Sequence, residues 1–285
     1  MINHVIDATT LTQKTIIADG FSTAYIEAGD PTKQTILFLH DGGFGTTGEL
    51  CWGPVMEALA ADFHVIAPDL LGWGNTDKAV FLDRSPYSRR IQHIGGFCAA
   101  TGVESPIMVG ASFGGSMIMR SLAGAGNCWN IKGAINISGS GGPFRLRLEE
   151  LGDYTPSLEE ARRMTSLLVT NMEGMDDHVQ KRLENSLIPG HWESLNAPRL
   201  KNPSLNVEPR EDPYLEQLAD VDVPVLLVEG AKDTLLETGW SQRLAALNPL
   251  FEALVVPYAH EPNIEVPEEI AELIRNFERD LQASA

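Results

Sequence analysis

The chain has 285 residues, of which 43% are hydrophobic and 21% are charged. This composition predicts a folded globular protein with a sizeable core and excludes a disordered chain. At roughly 150 residues per domain, the length predicts one large domain or two small ones. The 39 Asp and Glu residues exceed the 21 Lys and Arg residues, so the formal net charge is −18. Because such a surface repels phosphate backbones and anionic lipids, we expect no nucleic-acid partner and no membrane partner.

The cysteines and the N-terminal residues bear on the cellular compartment of the protein. Cys51, Cys98 and Cys128 are an odd number with no CxxC pair, which argues against a disulfide framework and against a zinc site. The first residues, MINHVIDATTLTQKTI, have no cationic segment before an apolar run, so we predict no signal peptide. No stretch approaches about 18 consecutive apolar residues, the length of a membrane span. We therefore expect a cytoplasmic protein without a metal, and the sequence leaves a homo-oligomer open.

Short apolar runs alternate with amphipathic segments along most of the chain. The runs are rich in Ile and Val, which is typical of parallel strands covered on both faces. We predict strands at residues 35–39, 63–68, 106–109, 131–137, 223–229 and 251–256. We predict helices at about 52–61, 87–101, 113–123, 239–247 and 267–281. This alternation predicts an α/β fold with a mostly parallel central sheet flanked by helices.

The segment from 143 to 220 interrupts this alternation, because it contains no convincing buried strand. Its amphipathic stretches at 157–168 and 176–187 predict helices, and Ser157 stands three residues before Glu160, as in a capping box. We predict a helical cap over the strand ends, where open α/β sheets bind ligands. Residues 1–142 and 221–285 would then form the core domain. A helical layer that only packs on the core is the alternative.

A nucleophile motif follows the predicted strand at 106–109. The residues Gly110, Ala111, Ser112, Phe113 and Gly114 match G-x-S-x-G between a strand and a helix. Such a turn raises the Ser112 hydroxyl above the sheet at a helix N-terminus, whose dipole favours developing negative charge. A glycine-rich turn without chemistry is the alternative.

Two later residues complete a candidate triad. A serine needs a base to accept its proton, and the base needs a carboxylate that orients it. His260 follows the last predicted strand, and Asp233 follows the strand at 223–229. The chain order Ser112, Asp233, His260 is that of α/β-hydrolases. The alternatives are a helix-capping turn for Asp233 and a surface loop for His260.

The anionic intermediate of such a reaction needs hydrogen-bond donors. The backbone amide of Phe113 offers one at the start of a helix. The loop after the strand at 35–39 offers the second, with Gly42 as the first choice and Gly43 as the second. We expect the ring of His40 to brace this loop.

The same loop contains a competing pattern. Residues 43–48, GFGTTG, match GxGxxG, and Asp69 lies 21 residues beyond Gly48, which imitates a dinucleotide fingerprint. Phe44 is large for a pyrophosphate turn, and Pro54 predicts a poor helix after the loop. A dinucleotide enzyme would also leave the triad residues unexplained, so this alternative ranks last.

From about residue 36 to 277 the sequence resembles the meta-cleavage-product hydrolases, a branch of the α/β-hydrolase superfamily. The similar segments read LHDGGFGTTGELCW, VIAPDLLGWGNTD, VGASFGG, YTPSLEEARRM and GAKDTLLE. The resemblance implies the α/β-hydrolase fold and cofactor-free hydrolysis of a carbon–carbon bond in vinylogous 1,5-diketo acids from aromatic ring cleavage. It also implies that Ser112, Asp233 and His260 form the triad. It assigns to Arg182 the family's contact with the substrate carboxylate, the alternative being an exposed helix arginine.

Several residues depart from the family pattern. Ala111 and Cys51 stand where the family has asparagines, Glu261 follows the histidine where tryptophan is common, and the loop reads HDGG. These positions bind the dienol and oxo groups in the family, so their loss would leave the polar groups of the same substrate unpaired.

A changed small-molecule substrate, an ester or a lactone, is therefore a serious alternative to carbon–carbon bond hydrolysis. We expect Trp192 to help shape the apolar pocket beneath the cap. An alternative from a different functional class is a ligand receptor or a lyase with the same fold.

Overall fold

The computed structural model of the protein describes residues 10–81, 87–124, 129–197 and 211–283. Cys128 and parts of both predicted domains lie outside these ranges. Eight strands form one sheet: β1 (Thr12–Ala18), β2 (Phe21–Ala28), β3 (Thr35–Leu39), β4 (His64–Pro68), β5 (Ile107–Ala111), β6 (Gly133–Ile137), β7 (Val225–Gly230) and β8 (Phe251–Val256). Their order across the sheet is β1-β2-β4-β3-β5-β6-β7-β8. The strands β3 to β8 are parallel, and they agree with the six predicted strands to within two residues at each end.

The strands β1 and β2 lie outside the six predicted strands. They pair antiparallel with each other, and β2 pairs antiparallel with β4. Most positions of β1 are exposed, so it lacks the apolar run that marks the inner strands. Asp19 and Gly20 join the two strands with φ angles of 49° and 84°. An Asp-Gly pair favours this two-residue turn, and it is the sequence signal that indicates the hairpin.

Helices cover both faces of the sheet. The core helices are α1 (Gly48–Leu59), α2 (Ser88–Thr101), α3 (Phe113–Leu122), α8 (Trp240–Ala245), α9 (Pro262–Glu265) and α10 (Pro267–Ala283). Because successive strand residues point to opposite faces, Leu37 and Leu39 of β3 join one core cluster with α2, α3 and α8. Ile36 and Phe38 join the other cluster, with α1 and α10. The sheet edge that carries the strand ends is thus held firmly from both sides.

The helix α1 begins earlier than predicted, and it contains Pro54, which the sequence indicated as unfavourable. Thr47 caps α1, because its Oγ1 accepts the Leu50 amide at 3.0 Å. The Asp69 carboxylate accepts the Gly48 amide at 2.9 Å. It therefore binds the first residue of α1. These contacts account for Thr47, Gly48 and Asp69 of the dinucleotide pattern.

Between β6 and β7, the described residues form helices and no strand: α4 (Leu158–Leu168), α5 (Asp176–Ser186), α6 (His191–Asn196) and α7 (Tyr214–Gln217). Ser157 Oγ accepts the Glu160 amide at 3.1 Å, while the Glu160 carboxylate contacts Arg163 instead of closing a capping box. The helical cap is therefore present in the fold, and its limits at 143 and 220 stay a prediction. Among the described helices, none has the length and apolarity needed to cross a membrane.

Candidate active site

Ser112 lies in the turn between β5 and α3. Its backbone has φ 49° and ψ −107°, a conformation that costs energy in a residue with a side chain. The amide of Ser112 donates to the carbonyl oxygen of Ile137 at 2.7 Å, which ties the turn to the end of β6. The neighbouring strand thus holds the strained turn in place.

The glycines of this turn are required by close backbone contacts. A Cβ atom on Gly110 would lie 2.5 Å from the amide nitrogen of Gly115. A Cβ atom on Gly114 would overlap the carbonyl oxygen of Leu39 at the end of β3. The motif therefore allows α3 to begin directly against the sheet, with Ser112 at its tip.

The structure brings Ser112, His260 and Asp233 together. His260 lies in the loop between β8 and α9, and its Nε2 is 2.8 Å from Ser112 Oγ. Its Nδ1 is 2.7 Å from Oδ2 of Asp233, which lies in the turn after β7. The side chain of His260 is fully buried, and that of Asp233 is 3% exposed. Each of these three residues follows the end of a different strand: β5, β7 or β8.

The surroundings of Asp233 keep it ionised. Burial alone would raise the pKa of Asp233, but His260 and the amides of Leu235 and Leu236 hold this pKa below its ordinary value. An ionised carboxylate only accepts hydrogen bonds, so Nδ1 of His260 donates to it. In the tautomer of the imidazole that carries its proton on Nδ1, Nε2 is the atom placed to accept the Ser112 hydroxyl.

The loop after β3 lies beside the start of α3. A Cβ atom on Gly42 would be 2.8 Å from Cβ of Phe113, so the two backbones are adjacent. The Gly43 amide, the second choice for an oxyanion donor, donates to Asp41 Oδ1 at 2.6 Å and is thus already used. His40 braces the loop, because its Nδ1 donates to the Asp41 carbonyl oxygen at 2.6 Å.

A cavity of about 300 Å³ opens onto Ser112. Its walls come from the loop after β3, from the ends of β5 and β6, and from the residues between β6 and β7. The lining residues are Gly42, Phe44, Trp73, Tyr87, Arg90, Ser112, Phe113, Ser116, Ser138, Ser140, Gly142, Arg145, Leu148, Leu151, Gly152, Ser194, Leu195 and Leu236. The lining therefore combines leucines and aromatic rings with five serines and two arginines.

Residues 36–273 match the profile of the Alpha/beta hydrolase family. The chain belongs to this family. Its parallel sheet, flanking helices and helical insertion after β6 form the α/β-hydrolase fold that the sequence predicted, and the protein is a hydrolase.

Relatives of this hydrolase carry related names. It is 27% identical to a 2-hydroxymuconate semialdehyde hydrolase from Pseudomonas sp. (strain CF600), with 95% of each chain covered. A solved meta-cleavage product hydrolase is 25% identical with a TM-score of 0.79, covering 94% of this chain and 98% of the other. A Burkholderia cenocepacia structure, provisionally described as an aryl esterase, is 26% identical with a TM-score of 0.75, covering 95% and 100%. The resemblance to meta-cleavage-product hydrolases is confirmed.

None of the five predicted substrate-binding residues lines the cavity of this hydrolase. Trp192 lies at the surface, 43% exposed, and its Nε1 donates to the Tyr154 carbonyl oxygen at 3.1 Å. Consecutive helix residues point about 100° apart, and the buried residues of α6 are the neighbouring His191 and Ser194. Ala111 is buried in the core cluster that also contains residues of α1 and α10. The remaining three, Arg182, Cys51 and Glu261, are buried near Asp41 of the loop after β3.

Asp41, Cys51, Arg182 and Glu261 form a buried group, called here the polar cluster. Arg182 is fully buried, so the alternative of an exposed helix arginine is wrong. Its Nη1 donates to the Phe44 carbonyl oxygen at 3.1 Å and lies 4.0 Å from Asp41 Oδ1. Burial raises the pKa of the Cys51 thiol and of Glu261 well above their ordinary values, which favours the neutral form of both groups.

The polar cluster is also the candidate metal site among the described residues. Ligand atoms of Asp41, Cys51 and Glu261 lie within 4.8 Å of one another. Metal binding would require a Cys51 thiolate, which burial disfavours, and the Arg182 guanidinium already supplies a positive charge there. The residues present do not favour a cation, and the expectation of a metal-free protein stays a prediction.

Most of the cavity residues escaped the sequence-based prediction, among them Ser138, Ser140, Arg90 and Arg145. Ser138 and Ser140 follow β6, at the same sheet edge as Ser112, and this position is the signal that could have indicated them. Arg90 lies over the ring of Trp73 at 4.8 Å, and burial lowers its pKa to about 10. Arg145 follows β6 at a greater distance, and no local pattern indicates its place in the cavity.

Proposed function

We propose that this hydrolase uses Ser112 as its nucleophile, His260 as its general base and Asp233 as the residue that orients His260. One observation carries the proposal: the unbroken contact from Ser112 Oγ to His260 Nε2 at 2.8 Å and from His260 Nδ1 to Asp233 at 2.7 Å. A serine hydroxyl is a poor nucleophile until a base accepts its proton. This arrangement meets that requirement, and the side chain of His260 is fully buried.

In the first step, Ser112 Oγ attacks the substrate carbonyl carbon while its proton passes to His260 Nε2. The imidazolium is then fully buried, and the ionised Asp233 stabilises it through the Nδ1 hydrogen bond. His260 returns the proton to the leaving atom, which is oxygen in an ester and carbon in a ring-cleavage product. A water that His260 deprotonates releases the acyl group, or replaces Ser112 as the attacking group.

The amides of Gly42 and Phe113 would stabilise the oxyanion of the intermediate. Phe113 is the first residue of α3, where the amides of a helix have no partner within the helix. The helix dipole adds a partial positive charge at this point. Gly43 is the weaker candidate, because its amide donates to Asp41.

Two substrate classes have support. Relatives named 2-hydroxymuconate semialdehyde hydrolase favour a carbon–carbon bond in a vinylogous diketo acid from aromatic ring cleavage. A small apolar carboxylic ester or lactone is the second candidate. It is favoured by the position of Arg182, which lies beside Asp41 of its own chain instead of lining the cavity.

We further propose that residues 143–220 form the cap and that residues 1–142 and 221–285 form the core. The substrate would react between them without a cofactor. A cytoplasmic location is part of this proposal, because an odd number of cysteines without a CxxC pair does not suit a disulfide framework.

The test is turnover of ring-cleavage dienoates and p-nitrophenyl esters by the wild type, Ser112→Ala and Ser166→Ala. Ser166 is an exposed serine of α4 and serves as the matched control. We expect kcat to fall about 10⁴-fold or more in Ser112→Ala, because the serine and its base act as a unit, and to be unchanged in Ser166→Ala.

Dienoate turnover alone would assign the carbon–carbon class, and ester turnover alone would assign the ester class. Equal rates for the wild type and Ser112→Ala on every substrate would refute the serine mechanism. Saturable binding without product would indicate a ligand receptor instead.

A further inference from the structure

We propose that Arg145 binds a carboxylate on the acyl portion of the substrate, the portion that contains the attacked carbonyl group. The inference rests on the proposed function and deepens it, since it names a chemical feature of the substrate and the residue that recognises this feature. Five observations carry it: the side of Ser112 on which the cavity lies, the charge of the cavity lining, the unpaired guanidinium of Arg145, its fixed backbone, and an unused hydroxyl in the cavity wall.

The cavity lies on the acyl side of Ser112. In the proposed reaction His260 protonates the leaving atom, so the leaving group has to lie against the imidazole ring. Among the described residues that line the cavity, Gly42, Ser112 and Phe113 are present and His260 is absent. The cavity therefore extends from the attacked carbonyl group away from the imidazole, which is where the acyl portion has to lie.

The cavity lining is positively charged in an acidic protein. The chain has 39 Asp and Glu residues against 21 Lys and Arg residues. Among the described residues that line the cavity, two are arginines, Arg90 and Arg145, and none is Asp or Glu. Arg90 is buried, and burial lowers its pKa to about 10, which leaves it a cation at neutral pH. A lining of this charge attracts anions and disfavours cations.

The guanidinium of Arg145 has no ion pair and no side-chain hydrogen bond within the part of the chain that the structure describes. The neighbouring Arg120 differs, because both of its Nη atoms donate to the Asp212 carboxylate, at 2.8 and 2.7 Å. A Cβ atom on Gly142 would lie 2.9 Å from Nη2 of Arg120 and 3.7 Å from Nη2 of Arg145, so the two guanidinium groups are neighbours. Arg145 is therefore available for a bidentate contact with a carboxylate from outside the chain.

The backbone of Arg145 is fixed relative to the triad. The Leu146 amide donates to the Leu235 carbonyl oxygen at 2.9 Å, and Arg145 pairs with Leu236 as an isolated antiparallel bridge. The Leu235 amide in turn donates to Asp233 Oδ1 at 2.7 Å. A binding group on a fixed backbone loses less conformational freedom when it meets a ligand.

Ser138 adds an unused polar atom to the cavity wall. It is 2% exposed, and its Oγ has no hydrogen-bond partner among the described residues. Buried hydroxyls in folded proteins nearly always have a partner. An acyl chain that carries a carboxylate brings acceptor oxygens into this cavity, whereas a hydrocarbon chain would leave the Ser138 hydroxyl unpaired.

The experiment compares esters that share the p-nitrophenol leaving group and differ in one terminal group. The mono-p-nitrophenyl esters of glutaric, adipic and suberic acid end in a carboxylate, and the pentanoate, hexanoate and octanoate esters end in a methyl group. We expect Arg145→Gln to lower the ratio of kcat/KM for the acid ester to that for its neutral counterpart about fivefold at the preferred chain length, the upper range for an exposed ion pair.

Two further variants separate the charge of Arg145 from its surroundings. Arg145→Lys keeps the positive charge and should lower the ratio less than Arg145→Gln does. Arg147→Gln is the matched control, because Arg147 is exposed, pairs with Glu150 and does not line the cavity. It should leave the ratio unchanged. An equal fall in Arg147→Gln would overturn the proposal, since the effect would then come from surface charge in general.

A second measurement does not depend on catalysis. The monoamides of the same three diacids keep the carbonyl group and the carboxylate, and pentanamide, hexanamide and octanamide lack the carboxylate. Titration calorimetry with Ser112→Ala, which prevents turnover, should show tighter binding of the charged amide than of its neutral counterpart. Adding Arg145→Gln should remove that preference.

The proposal requires both changes. An unchanged ester ratio in Arg145→Gln, or an unchanged binding preference after Arg145→Gln is added to Ser112→Ala, would overturn it. If the wild type hydrolyses none of the esters, the binding measurement decides alone. If Ser112→Ala kept full activity, the proposed function would fail, while the amide titrations would still decide whether Arg145 binds a carboxylate.

Discussion

Glu261 and Asp233 show how strongly the surroundings of one residue decide its chemistry. Both are carboxylic acids next to His260, one in sequence and one in space. Asp233 accepts hydrogen bonds from His260 and Leu235, and its pKa is lowered. Glu261 is fully buried, and neither carboxyl oxygen has a hydrogen-bond partner among the described residues, so its pKa is raised. Two acids within one site are therefore ionised and neutral at the same pH.

We predict that Glu261→Gln makes the protein less sensitive to alkaline pH. A carboxyl with a raised pKa contributes its full stability below the ordinary value of 4.5, and the contribution is lost as the pH rises toward the folded-state pKa. Glutamine stays neutral and avoids this loss. The gain over the wild type should grow with pH by about 1.4 kcal/mol for each pH unit over which the carboxyl resists ionisation.

Urea denaturation of both proteins between pH 5 and pH 8 measures this difference in the free energy of unfolding. A gap that does not grow as the pH rises would show that Glu261 is already ionised in the folded protein over this range.

At the scale of elements, the site depends on how closely α3 approaches the sheet. The turn at Ser112 depends on glycines, because they let the first turn of α3 touch the backbone of β3 and of β5. The loop after β3 also depends on glycines for close packing, since Gly43 and Gly45 allow it to contact Arg182 of α5. The glycine pattern that imitated a dinucleotide site thus serves loop-to-helix packing.

We predict that Gly114→Ala destabilises the protein by about 1–3 kcal/mol and lowers activity, because its methyl group would overlap the Leu39 carbonyl oxygen. Gly53→Ala in α1 is the matched control. The nearest atom to its added Cβ is Leu11 Cδ1 at 3.7 Å, an ordinary contact, and its backbone is helical. That variant should be more stable by about 0.5–1 kcal/mol. Thermal and urea denaturation would measure both, and equal effects of the two substitutions would contradict the packing argument.

At the scale of the whole molecule, the cavity exists only where distant parts of the chain meet. Gly42 and Phe44 follow β3, Phe113 begins α3, and Leu148 and Leu195 come from the segment between β6 and β7. A volume of about 300 Å³ lies at the small end of ligand sites. Substrate size should therefore be set by the residues that the helices between β6 and β7 place over the sheet edge.

We predict that Leu195→Ala shifts the preference among p-nitrophenyl esters toward longer acyl chains, because it removes part of the cavity wall. Leu187→Ala is the control, since Leu187 is 60% exposed and does not line the cavity. The ratio of kcat/KM for octanoate to that for butyrate should rise only in Leu195→Ala. A similar rise in both variants would mean that the preference arises outside this wall.

Local patterns indicate much of the fold. The apolar runs predict β3 to β8, because strands buried on both faces must be apolar at nearly every position. They do not indicate β1, whose residues are mostly exposed, although the Asp19–Gly20 turn could have. The placement of Ser112, Asp233 and His260 after strands also follows from the sequence, since parallel strands end at one sheet edge.

The sequence by itself determined the α/β fold and the residues that lie at the strand ends. The periodicity of hydrophobic residues and the residue types of turns are local properties, so a sequence shows them directly. Only the tertiary structure decided that Trp192 faces outward, that Arg182 pairs with Asp41, and that Ser138 and Arg145 line the cavity. These outcomes depend on how α5, α6 and the loop after β3 pack against each other. Such packing joins residues more than 100 positions apart, and no local pattern encodes their contact.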